Sequence, residues 1–243
     1  MKLKDKTNWL VLSLLTVSFI SLTGCVNLLN GIKGNGEVIK EERSIKDFSR
    51  IEISGAFEIN LIPSDSPSLS IESDENIMPH IITRVQGNTL VIDTDKHISS
   101  VTELHINIYY TNIKHIDLSG AVEIEGEINN PNKNLYIKGS GASEMRMDII
   151  ANKLSLDMSG ASEINLLGIC NEVILEGSGA SEFNAINLET KIMTINLSGA
   201  GEADVWVTKS LSVSVSGAGN VRYKGSPQTI NERITGAGSV KPY

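Results

Sequence analysis

Cysteine is scarce in this 243-residue sequence, which contains only Cys25 and Cys170. Cys25 directly follows an N-terminal segment with the features of an export signal, and we predict that a lipid occupies its thiol. Cys170 is then the single free thiol, so an intramolecular disulfide is excluded although an exported compartment would permit one. Because Cys170 ends the run Leu167-Gly168-Ile169-Cys170, we expect a small buried side chain rather than a nucleophile.

Basic residues are too few to balance the acidic ones. The sequence has 21 Lys and Arg against 29 Asp and Glu, a formal net charge of −8. Removal of the export segment, which itself carries a net charge of +2, leaves about −10 on the mature chain. A protein of this charge is a poor partner for nucleic acids or anionic lipid surfaces and is compatible with cationic partners.

One long hydrophobic run is present, near the N-terminus. Three lysines precede an apolar stretch at residues 9–20, which has the length of a secretion-signal core and is too short to span a ~30 Å hydrocarbon layer comfortably. The stretch ends in Leu22-Thr23-Gly24-Cys25, which resembles the bacterial lipobox. We therefore predict a signal peptide at residues 1–24 and lipidation of Cys25. An ordinary signal peptide that contains a cysteine by chance is the alternative.

The residues after the predicted lipid site indicate a tether and bear on which membrane holds the lipid. Residues 25–36 are rich in Asn and Gly, as expected for a short link between lipid and domain. Val26 and Asn27 provide no acidic sorting residue, which favours anchoring to the outer membrane without deciding between its two sides.

An internal repeat organises the rest of the chain. The tripeptide Ser-Gly-Ala begins at Ser54, Ser119, Ser140, Ser159, Ser178, Ser198 and Ser216, with Thr235-Gly236-Ala237 as a variant. From Ser119 onward the successive starts are separated by 21, 19, 19, 20, 18 and 19 residues. Such a constant spacing indicates a repeat architecture rather than unrelated loops.

Each repeat has the pattern of two strands joined by a corner. Apolar and polar residues alternate before and after the tripeptide, which is the period of a β-strand, and its glycine permits a sharp bend. Repeats of about 19 residues are shorter than propeller blades and lack a leucine-rich-repeat template. We therefore predict an all-β, parallel β-helix with ~19-residue coils, right-handed like nearly all parallel crossovers.

Stacked coils would bring like residues into columns. One predicted core column precedes the corner and contains Ile116, Ile137, Leu156, Leu175, Ile195 and Val213. A second follows it and contains Ile124, Met145, Ile164, Phe183, Ala203 and Val221. Glu232 interrupts the first column and suits a last coil that should not pair further.

The part before Ser119 is less regular. We divide the domain into residues 37–118, a less regular β part, and residues 119–243, the regular repeats. Strand-like runs occur at residues 51–62, 69–72, 89–94 and 104–110. We expect them to form larger coils or a flanking sheet that covers the end of the solenoid.

This layout resembles the putative autotransporter-adhesin head GIN domain family. The similar features are residues 45–56 (IKDFSRIEISGA), the strand at residues 87–92 (GNTLVI) and the later GSGASE repeats. The resemblance covers about residues 37–240. It implies a β-helical domain outside the cytoplasm, and it brings no catalytic residues, because a fold does not fix an activity.

A carboxylate recurs at a fixed place after the corner. The predicted file consists of Glu123, Glu144, Glu163, Glu182 and Glu202. Like charges ~5 Å apart in water repel by only about 1 kcal/mol per pair, so a solvated ladder with no ligand is one interpretation. The alternative is a binding file in which Ca²⁺ or another ligand bridges neighbouring carboxylates. No Asp-rich calcium loop accompanies the file, and no other cofactor is predicted.

Other polar and aromatic residues give weaker signals. The four histidines, His80, His97, His105 and His115, precede the regular repeats, so a zinc site built from stacked histidines is not expected and surface or turn positions are. The outward positions Asp117, Lys138 and Asp157 alternate in sign and should pair across coils. Trp206 lies between Val205 and Val207 and should face outward, where it could stack on a sugar ring or cover a loop.

Three functions fit these observations. The favoured one is a non-enzymatic envelope lipoprotein whose β-helix is a binding or adhesion surface for an envelope protein or a glycan. A carbohydrate-active enzyme resembling the polysaccharide lyases is less favoured, because Arg146, Arg222 and Arg233 occupy unrelated repeat positions. A purely structural spacer is the third.

Overall fold

The computed structural model describes residues 31–243. The predicted signal peptide, Cys25 and residues 26–30 of the tether lie outside the described residues. Within residues 31–243 there is no α-helix, and hence none that could cross a membrane. The prediction of an all-β chain is confirmed.

Strands account for most of the described chain. In order they are β1 (Ile32–Lys33), β2 (Val38–Ser44), β3 (Arg50–Pro63), β4 (Ser68–Asp74), β5 (Ile81–Gln86), β6 (Thr89–Thr94), β7 (Ile98–Ser100), β8 (Leu104–Tyr110), β9 (His115–Gly199), β10 (Glu202–Gly217), β11 (Asn220–Lys224), β12 (Thr229–Gly236) and β13 (Ser239–Pro242). A single 3-10 turn at Met78–His80 precedes β5. The four strand-like runs predicted before Ser119 correspond to β3, β4, β6 and β8.

The sheet is mixed: the N-terminal part, for which the sequence predicts larger coils or a flanking sheet, contains antiparallel pairs, so the parallel arrangement predicted for the repeats does not extend through it. Strand β4 pairs antiparallel with both β2 and β8, and β5 pairs antiparallel with β6. The β5–β6 pair is a hairpin whose two-residue turn, Gly87-Asn88, has φ +61° at the glycine. Short turns of this kind return the chain directly and force antiparallel neighbours.

Apart from the short parallel pair of β1 with β7, parallel pairing involves β3 and the strands of the repeats. Strand β3 pairs parallel with β6, β8 and β9, and β10 pairs parallel with β9, β11 and β12. The register aligns corner with corner: Ser54 lies opposite Ser119, and Ser198 opposite Ser216. The recurring tripeptide therefore marks equivalent positions on paired strands. The regular spacing predicts this for Ser198 and Ser216, whereas the direct pairing of Ser54 with Ser119, 65 residues later, is a finding of the structure.

The corner glycine is required by both its backbone conformation and its neighbours. Gly160 has φ +103°, a region that residues with a side chain rarely adopt. A Cβ added to Gly160 would lie 2.3 Å from the carbonyl oxygen of Gly141, the corner glycine one repeat earlier. Successive corners thus touch through their backbones, and any side chain here would push them apart.

Both predicted apolar columns are buried, with every member at most 2% exposed. The strand registers agree with the predicted alignment, since Ile195 lies opposite Val213 and Phe183 opposite Ala203. Glu232 lies opposite Val213 and is exposed, as expected for a residue that ends a column. Cys170 is 1% exposed and free, which confirms the predicted buried side chain, and burial raises the pKa of its thiol.

Candidate functional site

The structure brings the five predicted glutamates together along one groove of about 700 Å³. The groove follows the corner, and its other wall consists of the exposed corner alanines. Glu182 lies directly opposite Glu202 on the neighbouring strand, and Glu58 opposite Glu123. The predicted file is therefore a continuous feature of the surface.

An arginine of the same chain already occupies the beginning of this groove. Arg146 donates a hydrogen bond of 2.9 Å to Glu123 and a second one to Glu144. The hydrogen bond to Glu123 and the charge of Glu144 raise the pKa of the Arg146 guanidinium further. Within residues 31–243 no three His, Cys, Asp or Glu side chains are placed to hold a metal ion together. The groove thus binds a cation of its own chain and offers Ca²⁺ no assembled ligand set.

Three nearly buried serines lie between the corner alanines and the glutamates of the groove. Ser143, Ser162 and Ser181 are only 5%, 6% and 4% exposed, and their hydroxyl oxygens have no hydrogen-bond partner among the described residues. They occupy the position that Phe57 and Val122 fill with apolar side chains in earlier strands. They pack into the interior and also form part of the lining of the groove.

Trp206 faces outward as predicted, because Val205 and Val207 on either side are fully buried. It is nevertheless half-buried, since the Lys224 ammonium lies 4.0 Å from the centre of the indole ring. Lys224 is itself held by a 3.3 Å hydrogen bond to the carbonyl oxygen of Ile186. A cation–π contact of this kind covers the ring face that a sugar would need.

A second concave surface lies on the outward face of the strands that precede the corners. We call it the His115–Tyr136 cleft. Its volume is about 610 Å³, and it lies where β6, β3 and the start of β9 run side by side. The side chains that give it its chemistry are Arg50, Glu52, Asp93, His115, Asp117, Tyr136 and Lys138.

Ion pairs between neighbouring strands fix one wall of the cleft. Arg50 donates a 3.1 Å hydrogen bond to Glu52 on its own strand and another to Asp117 on β9. His115 Nε2 lies 2.9 Å from the same Asp117 oxygen that Arg50 contacts. These side chains are a quarter to a half exposed, so the network is accessible from solvent while its geometry is held.

Two aromatic rings form the floor of the cleft. The rings of His115 and Tyr136 have their centres 4.5 Å apart and are tilted by 34°. The backbone N–H of Tyr136 donates to the carbonyl oxygen of Lys114, so the segments of β9 that carry His115 and Tyr136 run next to each other. The Tyr136 hydroxyl donates to Asp157 over 3.4 Å, and burial followed by the charge of Asp157 raises its pKa. The phenol therefore stays protonated and oriented at neutral pH.

The sequence did not single out this cleft. His115 was expected to be an ordinary surface or turn residue, and it lies instead at the centre of the cleft. The predicted pairing of Lys138 with Asp117 and Asp157 is wrong, because no ion pair within residues 31–243 joins them. Arg50, which β3 contributes across the strand pair, is the cation that Asp117 binds instead. The only available signal was the outward position of His115 one strand before the first regular repeat.

A family model matches most of the chain. The match covers residues 47–227 and belongs to the family described as putative auto-transporter adhesin, head GIN domain. The chain belongs to this family. The resemblance inferred from residues 45–56 and from the repeats is confirmed. Among curated proteins, no sequence matches this chain significantly.

Several solved structures have a similar fold. A putative adhesin from Bacteroides fragilis has a TM-score of 0.81 at 24% identity, over 88% of this chain and 100% of its own. A putative lipid binding protein from Parabacteroides distasonis has 0.70 at 22%, over 88% and 100%. A putative adhesin from Parabacteroides merdae has 0.64 at 22%, over 88% and 99%. At these identities the likeness concerns the fold, and none of the three names denotes an enzyme.

Proposed function

We propose that this chain is a non-enzymatic binding or adhesion protein of the bacterial cell envelope. In this proposal residues 1–24 direct export, lipid on Cys25 anchors the mature chain to the outer membrane, and residues 25–36 begin the link to the domain. The domain is a right-handed parallel β-helix from residue 119 onward, preceded by the less regular part at residues 37–118. Family membership supports an adhesin-like role at the envelope or cell surface.

The observation that carries the proposal is the repetition of outward side chains on paired strands. Corner aligns with corner from Ser54 to Ser119 and from Ser198 to Ser216, so each face presents similar groups at the ~4.8 Å spacing of neighbouring strands. A stacked β-structure of this kind is rigid and binds without the cost of ordering loops. Rigid repeated faces are well suited to extended partners such as glycans or protein strands.

The anchoring part is tested by replacing the predicted lipid site. In the native bacterium we expect the full chain to incorporate a labelled fatty acid and to fractionate with the outer membrane. The Cys25→Ala variant should lose the label and leave the membrane fraction, whereas Cys170→Ala should keep both. Incorporation of label into Cys25→Ala would contradict the proposed anchor.

The binding part is tested by attachment. Cells that produce the chain should attach to glycan-coated or protein-coated surfaces more strongly than cells that lack it. The Cys25→Ala variant, folded but released from the membrane, should not restore attachment. Equal attachment of all strains would contradict adhesion. Shortening of an added polysaccharide by the purified mature chain would favour the carbohydrate-active alternative instead.

A further inference from the structure

We propose that the His115–Tyr136 cleft binds a neutral saccharide. This inference rests on the proposed binding function and deepens it by naming the site and the class of ligand. The volume of about 610 Å³ lies within the ~300–1,000 Å³ of typical small-ligand sites, enough for a few sugar rings of a longer chain.

The charges of the cleft are nearly balanced within it. Arg50 is shared between Glu52 and Asp117, and Lys138 and Asp93 add one charge of each sign. An anionic ligand would meet three carboxylates, and a cationic ligand would meet a guanidinium and an ammonium. Because a ligand of either sign faces groups of its own sign, the cleft favours one without net charge.

The polar groups of the cleft require a ligand that both donates and accepts hydrogen bonds. Glu52 Oε2, Asp93 Oδ2 and Asp117 Oδ1 accept no hydrogen bond from any residue between 31 and 243, so each can accept one from a ligand. Lys138 has no ion-pair partner in the described part of the chain and can donate. A hydroxyl carries one donor and two acceptor sites, so a molecule rich in hydroxyls satisfies both kinds of group.

The aromatic floor completes the match. His115 and Tyr136 are half-buried and pack against each other with their ring centres 4.5 Å apart, so each ring covers part of one face of the other. The parts left exposed give the cleft an aromatic surface next to its polar wall. A pyranose ring has an apolar face of C–H groups and a rim of hydroxyls, which corresponds to this arrangement. The ion pair of Arg50 with Asp117 and the 2.9 Å contact of His115 with Asp117 hold these side chains in place and so reduce the entropy lost when the ligand binds.

The test uses the full lipidated chain in detergent. A glycan array that contains neutral, sulfated and carboxylated oligosaccharides is probed first, and the strongest neutral hexasaccharide is then titrated calorimetrically. We expect binding to neutral glycans and an affinity at least about tenfold lower for Tyr136→Ala, because aromatic anchors dominate such sites. Tyr136→Phe keeps the ring and should stay within about threefold of the parent.

Controls distinguish a loss of binding at the cleft from misfolding, and they distinguish failure of the saccharide site from failure of the proposed adhesion function. Trp206→Phe and Glu163→Gln lie outside the cleft and should leave the affinity unchanged, while thermal unfolding verifies that every variant is folded. Asp117→Asn provides a second cleft variant and should weaken binding. Binding to acidic glycans alone, no glycan binding, or equal affinity of Tyr136→Ala and the parent would each overturn the inference. Attachment of cells to a protein surface in the absence of glycan binding would leave the proposed function standing and reject this ligand.

Discussion

A buried tyrosine connects the flanking strands to the first repeat, and its ionisation should make the stability of the protein depend on pH. Tyr110, at the end of β8, is 3% exposed and donates a 2.5 Å hydrogen bond to the backbone oxygen of Glu127. Burial, with a smaller contribution from the charge of Glu127, raises the pKa of Tyr110 from 10.0 to about 12. The perturbation is the replacement Tyr110→Phe, which removes the hydroxyl and keeps the ring.

The magnitude follows from linkage between ionisation and folding. The folded pKa is raised, so the contribution of the neutral phenol is fully present below pH 10 and is lost as the pH approaches 12. Each pH unit in that window removes about 1.4 kcal/mol from the free energy of unfolding of the parent, up to about 2.7 kcal/mol. At neutral pH the lost hydrogen bond makes Tyr110→Phe less stable by about 1 kcal/mol. The two stability curves should therefore cross near about pH 11.

The assay is urea unfolding followed by circular dichroism between pH 7 and 11.5. Tyr109→Phe, on the opposite face of the same strand, controls for the general effect of alkali on the protein. We expect Tyr110→Phe to be the less stable variant at pH 7 and the more stable one at pH 11.5, relative to that control. Parallel stability curves for the parent and Tyr110→Phe over the whole range would refute the reasoning.

Three further variants test the packing. Gly160→Ala should lower the free energy of unfolding by about 2–5 kcal/mol in urea titration, because the backbone strain at positive φ and the overlap of the new Cβ with the neighbouring corner add together. In the control variant Gly87→Ala the new Cβ meets no atom within 4 Å, so the loss should be about 1 kcal/mol. Equal losses for the two variants would contradict the contact between corners. Ser162→Ala should raise stability by up to about 1 kcal/mol and exposed Ser178→Ala should change it little, so a clear loss at Ser162 would reveal a hydroxyl partner. Asp74 is fully buried and accepts hydrogen bonds from two backbone N–H groups and a hydroxyl; the bond from the Thr102 N–H lowers its pKa most. The stabilisation by the Asp74 carboxylate is thus present above the ordinary carboxyl pKa and is lost as the pH falls below it. Thermal melting should therefore show Asp74→Asn to be less stable than the parent at pH 7, with the difference between the two shrinking toward pH 3. A difference that does not change with pH would contradict this.

The repeat could be read from the sequence because its physical cause is local. A glycine is needed wherever the backbone turns with positive φ against another corner, and the alternation around it reports which side chains face the core. The tripeptide spacing therefore predicted the register at Ser198, the two buried columns and the glutamate groove. The burial of Cys170 was predicted for a similar reason, because the residues that precede it in the sequence are mostly apolar.

The cleft could not be read in this way because it depends on pairing between distant segments. Arg50 reaches Asp117 only because β3 lies beside β9, and β6 adds Asp93 from the other side. The antiparallel strands were missed for the same reason, since a turn such as Gly87-Asn88 fixes strand direction without altering the alternation. The outward direction of Trp206 was predicted correctly, but nothing in the sequence indicated that Lys224 on the next strand would lie over its ring.

The most direct test of the account measures whether successive repeats are stacked along one axis. Spin labels are introduced by Ser119→Cys together with Ser198→Cys, Ser216→Cys or Thr235→Cys, at exposed and equivalent corner positions. With ~4.8 Å between neighbouring strands, pulsed electron paramagnetic resonance should give label separations of about 19, 24 and 29 Å across four, five and six repeats. Distances that do not increase by about 5 Å with each repeat would contradict the stacked coil and the ordered outward faces on which the proposed function depends.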